Sequence, residues 1–408
     1  MKKSRIVPFR YLVLAVLLAS SPLRSQAVTT AVPFLRITTS TESNGMGGLT
    51  YALPGSDPSL FFTNVGLVGY NSLVTNLAAS FYPSKTEWLG FTQITLDNYS
   101  FAGGAELGQY FSTTIPVGIG FGYNYTRLNL GEFVTQPPQS QTVDAWEDVK
   151  TYSIGIGIQE FAKVGFGYGW STVRSKLVLF DTSGLNNPAT ARARRWGIFI
   201  QVPVGTLLRQ EETPGNIKIT SNLNFGYALN NVGDGITYAD ALQIDPLPRM
   251  AGLGYSIDFS LDVRTEDGLF PFAKLTYGHE AEDLLVQKDA LGNWKYTSGL
   301  PDIRFFDNVF LGQSNSSIVQ RTGWEILAFG FLSYREGRWD GGGYSPPITT
   351  EGVGVSGSII FQLLHIALKD EISAFVADHL DLRYNRARYS AYGPLSGTKF
   401  EAMIIRIR

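Results

Sequence analysis

The 408-residue sequence contains no cysteine and only three histidines. Without cysteine, disulfide bonds, thiolate metal sites and thiol catalysis are excluded. The two-histidine helical zinc motif and the Gly-x-Ser-x-Gly nucleophile elbow are also absent from the sequence, and His279 is expected to be a solvated loop residue. We therefore predict no catalytic, cofactor-binding or metal-binding residue, no cofactor, and a protein that is not an enzyme.

The sequence also lacks a large excess of positive or negative charge. Lys and Arg total 33, Asp and Glu total 35, the formal net charge is −2, and no long basic run occurs. Binding to nucleic acid requires a clustered basic surface. Nucleic acid is therefore not a predicted partner.

Long apolar runs are missing after the first 27 residues. Basic residues there precede an apolar run from Tyr11 to Ala19, and Ser25-Gln26-Ala27 follows. This order predicts that residues 1–27 are a secretory signal peptide. A membrane anchor is the alternative, but an apolar run of about ten residues is shorter than the roughly 20 that a membrane helix needs. Because no later run reaches that length, a helical inner-membrane protein is excluded.

Glycine and aromatic residues are abundant, and they alternate. The chain has 44 Gly, 20 Tyr and 26 Phe. From Thr114 to Arg127, apolar residues occupy one parity and small or polar residues the other, and the pattern recurs in Lys163 to Thr172, Ile217 to Leu229 and Met250 to Val263. A period of two indicates β-strands, and such runs predict about fourteen of them. The segment Gln362 to Leu380 fits either the end of a strand or a short helix.

Alternation fits both a soluble sheet and a membrane barrel, in which the apolar face meets lipid. Three features favour the barrel: runs as long as the roughly nine to eleven residues that span a membrane, a second parity rich in Gly, Ser, Thr and Asn, and Tyr and Trp near run ends. We predict an all-β fold, a transmembrane antiparallel up-and-down β-barrel in the outer membrane of a Gram-negative bacterium, in contact with outer-membrane lipid. A secreted soluble β-protein is the alternative. The predicted lipid-facing residues are Ile115, Val117, Ile119, Phe121, Tyr123, Phe166, Tyr168 and Trp170.

Two groups of residues are assigned to the inside of the barrel. Residues 28–70 alternate poorly but contain apolar residues that need burial, so we predict an N-terminal plug, followed by the barrel at residues 71–408. A disordered periplasmic tail is the alternative. Charged residues on the lumen parity need partners, so we expect them to form ion pairs that hold the plug or the wall. They are Lys218, Asp258, Asp262, Asp381 and Arg383.

Both ends of the chain carry a family resemblance. The stretch FLRITTSTESNGMGGLTYALPGSDPSLFFTNVGL contains an aromatic-Leu pair, a Gly-Met-Gly segment, an Asp and an aromatic run that leads to Asn. Together with the closing stretch LDLRYNRARYSAYGPLSGTKFEAMIIRIR, it resembles the PorV/PorQ family of outer-membrane proteins, from which it departs at Val65, where the family has proline. The matching residues, expected in the plug, are Phe34, Leu35, Gly45, Met46, Gly47, Asp57 and Asn64.

The resemblance implies a FadL-like barrel of about fourteen strands with an N-terminal plug. Family members act in type IX secretion, so the first hypothesis is binding and shuttling of secreted proteins, with cargo proteins and secretion-system components as partners. Their contacts are expected in polar connections around Thr135 to Trp146, Asn230 to Pro248 and Arg335 to Thr350. The alternative is a FadL-like transporter of hydrophobic small molecules. It requires an apolar pocket and a lateral gap, for which a kink at Pro116 or Pro203 is a candidate.

Overall fold

The computed structural model describes residues 30–55, 57–74, 77–108, 115–134, 142–177, 188–207, 216–238, 244–265, 268–288, 294–297, 301–315, 317–342, 344–390 and 395–407. The predicted signal peptide lies outside these residues. Among the helices that the structure describes, none combines the length and the hydropathy required to cross a membrane.

Fourteen antiparallel strands close into a barrel, which we call the wall. Each strand pairs with its sequence neighbours, and β1 pairs with both β2 and β14, which closes the ring. A two-residue strand, Thr86–Glu87, pairs with β2 outside the ring. The predicted fold class, an antiparallel up-and-down barrel of about fourteen strands, is confirmed. The strands are β1 (Leu77–Phe81), β2 (Thr95–Glu106), β3 (Val117–Val134), β4 (Thr142–Gln159), β5 (Lys163–Lys176), β6 (Ala189–Pro203), β7 (Ile217–Gly233), β8 (Met250–Thr265), β9 (Gly268–Leu284), β10 (Ile318–Ala328), β11 (Leu332–Gly341), β12 (Tyr344–Ser356), β13 (Leu380–Tyr389) and β14 (Lys399–Ile407).

Residues 30–74 lie inside the barrel as a plug. Helix α1 (Thr41–Gly45) contacts β11, β12 and β13, whereas helix α2 (Gly66–Asn71) contacts β3 to β6 on the other side of the lumen. Two 3-10 turns, Pro33–Arg36 and Pro58–Phe62, complete the plug. Most plug side chains are buried. The plug supplies most of one apolar cluster, whereas a larger cluster combines Val32, Phe34, Leu35 and Phe62 with inward-facing residues of the wall. The predicted boundary between residues 70 and 71 stays a prediction.

Glycines on the inner face of the wall bring the plug into direct backbone contact. Gly155 on β4 and Gly165 on β5 lie against the backbone of Gly69 and Tyr70 in α2, where a Cβ on either wall glycine would overlap the helix. The residues that alternate with these glycines point outward, and they are isoleucines on β4 and the aromatic residues Phe166, Tyr168 and Trp170 on β5. A strand such as β5 therefore presents aromatic rings to lipid on its outer side and glycines that contact the plug backbone on its inner side.

The two rims of the barrel differ. Residues 160–162 and 329–331 are short turns at one rim, the turn rim. The opposite rim, the loop rim, carries longer connections at residues 82–94, 234–249 and 285–317. The turn rim also carries one long connection, residues 357–379. We assign the loop rim to the outer side by the general rule that the longer connections of outer-membrane barrels are extracellular.

Two sequence-based assignments of connections need correction. The predicted long polar connection Arg335 to Thr350 is mostly strand, because β11 continues to Gly341 and β12 begins at Tyr344. At the turn rim, residues that fitted a strand end or a helix are helical: α3 (Ser358–Leu368) and α4 (Glu371–His379) form a hairpin between β12 and β13. Asp370 begins α4 by accepting a hydrogen bond from the Ser373 N–H at 2.7 Å.

Large apolar side chains cover the outside of the wall. Its inside is lined by glycines and polar residues and, towards the loop rim, by buried apolar residues such as Leu128, Val149 and Val173. The structure places Ile119, Phe121, Phe166 and Trp170 outward, with 44 to 56% of each exposed. Val117, Tyr123 and Tyr168 share their parity and are half-buried, and Ile115 lies two residues before β3. This distribution is that of a barrel embedded in outer-membrane lipid. The predicted location in the outer membrane of a Gram-negative bacterium is confirmed.

Candidate functional site in the lumen

The residues of the predicted plug motif are buried but do not meet at one site. Phe34 and Leu35 lie in the first 3-10 turn, Gly45 ends α1 and is followed by Met46 and Gly47, and Asp57 and Asn64 flank the second turn. Asn64 connects three chain segments. Its Nδ2 donates to the Tyr51 and Ile198 carbonyls at 2.6 and 3.2 Å, and its Oδ1 accepts from the Gly66 N–H at 2.9 Å.

Asp57 joins the two halves of the plug. Its carboxylate accepts hydrogen bonds from the Ser40 hydroxyl at 2.7 Å and from the Ser59 N–H at 2.9 Å. Burial, and secondarily the negative charge of Glu42, raises the pKa of the Asp57 carboxyl to about 6. This residue therefore titrates near neutral pH inside the plug.

Glu42 in α1 fixes the plug to β11 and β13. Its carboxylate accepts from the Asn385 amide at 3.2 Å and lies 3.8 Å from an Arg335 nitrogen and 3.6 Å from an Arg383 nitrogen. Burial acts to raise the pKa of Glu42, but the positive charges of Arg335, Arg383 and Arg406 outweigh it and lower that pKa. Glu42 is therefore held as an anion.

The predicted lumen charges divide into three separate groups. Asp381 bonds to Arg383 at 3.1 Å and to Arg406, and through Arg383 this group reaches the plug. Asp258 pairs with Lys274 at 2.9 Å within the wall. Lys218 and Asp262 face each other across β7 and β8, close to the turn rim. Ion pairing is thus observed for Asp258, Asp381 and Arg383.

A second clamp, on β9, was missed from the sequence. Glu280 accepts hydrogen bonds from the backbone N–H groups of Thr50 and Ala52, each at 2.7 Å. Glu282 accepts from the Tyr51 hydroxyl at 2.7 Å and from Arg321 at 3.2 Å. The two carboxylates hold one extended plug segment against the wall.

Arg195 forms the third connection between wall and plug. Its buried guanidinium donates to the Phe62 carbonyl and to Asn231 Oδ1, and lies 4.0 Å from the centroid of the Phe62 ring. A register shift between Arg194 and Trp196 accompanies this arrangement. The alternation of β6 gave the parity of Arg195, but its partners lie too far along the chain to be read from the sequence.

An apolar cavity lies at the loop rim above the plug, and we call it the mouth cavity. It has a volume of about 310 Å³, and Pro33 and Phe34 of the plug contribute to its lining. The wall and its connections supply the other surfaces. These include Trp88, Leu89, Leu128, Trp339, Tyr389 and Leu395, with Arg36 and Arg321 as the charged members.

A smaller cavity of about 170 Å³ lies on the turn-rim side of the plug. Glu42, Lys274, Glu325, Arg383 and Arg406 contribute to its lining. The two ends of the lumen therefore differ in chemistry, with apolar surfaces above the plug and paired charges below it.

The prolines proposed as kinks lie at the ends of strands. Pro116 precedes β3, and Pro203 is the last residue of β6 and remains in register with Asn222. A bulge instead follows Pro271 in β9, where Phe272 falls out of the pairing with β8. The described strands thus place no kink at Pro116 or Pro203.

A scan against protein-family models found no match. A search of curated proteins also found none. Among solved structures, the chain is similar to the Ralstonia pickettii toluene transporter TbuX, with a TM-score of 0.38 and 10% identity over 90% of this chain and 97% of that chain. The Pseudomonas putida toluene transporter TodX gives 0.37 and 10% over 90% and 95%, and P. putida OprB gives 0.33 and 10% over 82% and 91%. By its own geometry, the chain is a fourteen-stranded outer-membrane β-barrel with an N-terminal plug.

Proposed function

We propose that the protein is an outer-membrane transporter that admits small hydrophobic molecules at its loop rim. The observation that carries the proposal is the mouth cavity. Its volume of about 310 Å³ and its mainly apolar lining suit a small apolar ligand. A small apolar molecule that reaches the loop rim from solution would be retained by these apolar surfaces.

The charged groups below the plug oppose direct passage of an apolar molecule along the lumen. Transferring an apolar molecule among desolvated ion pairs gains nothing and disturbs their pairing. Release therefore requires movement of the plug or a path through the wall. Expulsion of the plug would break the Glu280 and Glu282 clamp, so we favour a limited displacement near Phe34.

Binding of toluene to the detergent-solubilised protein tests the proposal, with two substitutions at Leu128. In Leu128→Trp a larger ring fills the cavity, so we expect at least a tenfold loss of affinity. In Leu128→Ala the cavity grows, and binding should persist. Heat-modifiable gel migration checks that both variants are folded. Equal affinity of the wild type and Leu128→Trp, or no binding of toluene and larger apolar probes, would contradict the proposal.

A second candidate function is binding and shuttling of secreted proteins in the manner of the PorV/PorQ family. Support comes from the sequence resemblance and from the charged clamps on the plug, which suit a static scaffold that works through its rim. The resembling residues themselves are buried in the plug. Because they are buried, the resembling residues support a shared architecture but cannot contact a partner. Partner contacts would therefore be made by the loop rim.

A pull-down of the tagged protein from solubilised outer membranes of its host tests this second function. We expect secreted proteins or secretion components to co-purify if the protein is a shuttle. A barrel that carries only lipid or a small apolar molecule would exclude it. Under both candidates the protein is not an enzyme, and this remains part of the proposal.

A further inference from the structure

Six basic side chains cluster on the outer surface of four neighbouring strands, β3 to β6. They share the outward parity of Tyr123, Tyr152, Trp170 and Trp196 on the same strands. We call this cluster the basic patch. Its members are Arg127, Lys150, Arg174, Lys176, Arg192 and Arg194.

The strand register places the basic patch directly beside the aromatic rows, on the side of the loop rim. Tyr123, Tyr152, Trp170 and Arg194 follow one another across the four strands in one row. The next row towards the loop rim contains Lys150, and Arg192 lies opposite Thr172 in that row. Rings at this position mark the depth where lipid tails give way to headgroups.

Only part of the positive charge is matched by acidic groups. Asp148 binds Arg174 at 2.5 Å, and Asp144 lies 4.0 Å from Arg127. Among the described residues, no carboxylate lies within 4.0 Å of Lys150, Lys176, Arg192 or Arg194.

On the opposite side of the barrel, outward-facing arginines have acidic partners on neighbouring strands. On β12 to β14, outward-facing Arg386 pairs with Glu401 at 3.5 Å, and Arg388 pairs with Glu351. The outward-facing Arg386 and Arg388 are therefore both paired with carboxylates, whereas four of the six members of the basic patch have no carboxylate partner among the residues that the structure describes.

We propose that the basic patch binds the phosphate groups of an anionic lipid in the outer leaflet. The exposed guanidinium groups of Arg192 and Arg194 suit bidentate hydrogen bonds to phosphate oxygens. The rings beside them pack against the acyl region of the same lipid. An anion at this depth is a headgroup, because the surface faces the membrane and not the lumen.

Native mass spectrometry of the full-length protein in detergent tests this binding, with lipid A carrying two phosphates as the probe. We expect Arg192→Gln/Arg194→Gln to reduce lipid A binding at least tenfold. The matched control Arg386→Gln/Arg388→Gln, on the side with internal pairs, should stay within about twofold of the wild type.

Two further arms separate lipid from other anions. Dephosphorylated lipid A should bind the wild type no better than it binds Arg192→Gln/Arg194→Gln, and inorganic phosphate at equal phosphate concentration should not displace lipid A. Equal binding by the two double variants, equal binding of the dephosphorylated lipid, or displacement by inorganic phosphate would each overturn the proposal.

A separate observation concerns the helical hairpin α3–α4 at the turn rim. Large apolar side chains on both helices are exposed, which is costly in water. The charged residues near its tip are Lys369 and Asp370, which form the turn between the helices, and Glu371, which begins α4. The exposed apolar residues are Ile360, Leu363, Leu364, Ile366, Leu368, Ile372 and Phe375.

The hairpin continues the lipid-facing surface of the wall. The Gly357 N–H donates to the Leu382 carbonyl at 2.6 Å, and the Phe361 ring lies beside Gly357 and Leu382. Leu382 shares the outward parity of Tyr384, which is 41% exposed. We infer that the hairpin lies in the interface of the inner leaflet, as an amphipathic helix does on a membrane surface.

Fluorescent labelling at single engineered cysteines tests this position, because the chain has no native cysteine. In phosphatidylcholine vesicles with brominated lipid, a label at Leu364→Cys should be quenched nearly as strongly as one at lipid-facing Val355→Cys. A label at Gln93→Cys in a loop-rim connection should be quenched several-fold less. Quenching at Leu364→Cys as weak as at Gln93→Cys would mean that the hairpin lies in water or on a protein partner, and would refute the inference.

Discussion

Gly47 shows how one residue can hold the plug in register with the wall. Its φ of +74° is unfavourable for other residues, and a Cβ there would lie 2.6 Å from the Thr322 carbonyl oxygen and 2.7 Å from the Arg338 nitrogen. Gly90 has a similar φ of +70°, but the nearest atom to its Cβ position is 3.7 Å away. At Gly47 a side chain would therefore meet both an unfavourable φ and a steric overlap, whereas at Gly90 it would meet only the unfavourable φ.

We predict that Gly47→Ala destabilises the protein by more than about 4 kcal/mol, because the backbones of plug and wall must move apart. Gly90→Ala should cost only about 1 to 2 kcal/mol, the usual penalty for a side chain in the left-handed region. The temperature at which heat-modifiable gel migration is lost measures both effects. Similar values for the two variants would show that the close approach at Gly47 is not important.

Asp57 gives the plug a pH dependence of defined sign. Because its pKa in the folded state is about 6, above the ordinary value of 3.8, the folded protein binds this proton more tightly than the unfolded chain does. The contribution of Asp57 to stability is therefore most favourable below about pH 4 and is lost as the pH rises through 6.

Asp57→Asn should remove this dependence while keeping an oxygen acceptor for the Ser59 N–H. We expect the wild type to lose about 1 to 3 kcal/mol relative to the variant between pH 4 and pH 7. The contribution of Glu42 to stability has the opposite pH dependence, since its pKa is lowered. Glu42 is present in both the wild type and Asp57→Asn. Parallel stability profiles over this pH range would contradict the assignment.

The sequence allowed us to predict which side of the wall a strand residue faces, but not which distant residues it contacts. Alternation along β3 and β5 indicated that Phe121 and Phe166 point outward, because the period of a strand is independent of the rest of the fold. The bonds of Glu280 to the plug join residues more than 200 positions apart, which no local pattern encodes. The prediction for His279 was wrong: β9 continues to Leu284, and the His279 ring is buried.

At the scale of elements, strands were easier to predict than the plug. Long alternating runs define strands because their side chains meet two different environments. The plug has only short turns and helices, and its conformation depends on the inner face of the wall. Val65, where the PorV/PorQ pattern has proline, has a φ of −66°, a value that proline also adopts.

The plug as an element can be locked to the wall by a disulfide. Leu49 contacts Gly278 on β9, where a Cβ would lie 2.8 Å from the Leu49 Cδ1 atom. We predict that Leu49→Cys/Gly278→Cys forms a disulfide under oxidising conditions. Since we favour a displacement limited to the region near Phe34, oxidation should leave uptake of an apolar probe within about twofold of that in the reduced protein.

The single variant Leu49→Cys is the control, because it has the same cavity in the plug but no partner thiol. A tenfold loss of uptake in the oxidised double variant, restored by a reductant, would show that the clamped segment itself moves and would contradict a displacement limited to the region near Phe34. Toluene binding at the mouth cavity should persist in either case, since Leu49 lies outside its lining.

At the scale of the whole molecule, closure of the barrel and filling of its lumen by the plug depend on each other. A ring of fourteen strands has a lumen too wide for its own side chains to fill, so the buried apolar residues of the plug complete the structure. The glycines of the wall, in turn, leave space for that plug. The count of strands and the presence of a plug were both predictable, whereas the two different cavities above and below the plug were not.

This mutual dependence predicts the electrical behaviour of the barrel. We expect the wild type to show no steady pore conductance in planar bilayers, because the plug contacts β3 to β6 and β11 to β13 simultaneously. A variant lacking residues 30–74 should conduct ions through the emptied lumen, provided that heat-modifiable migration confirms its assembly. Stable porin-like conductance by the wild type would show that a water path passes the plug. The lumen would then carry polar solutes, and the mouth cavity would no longer define the function.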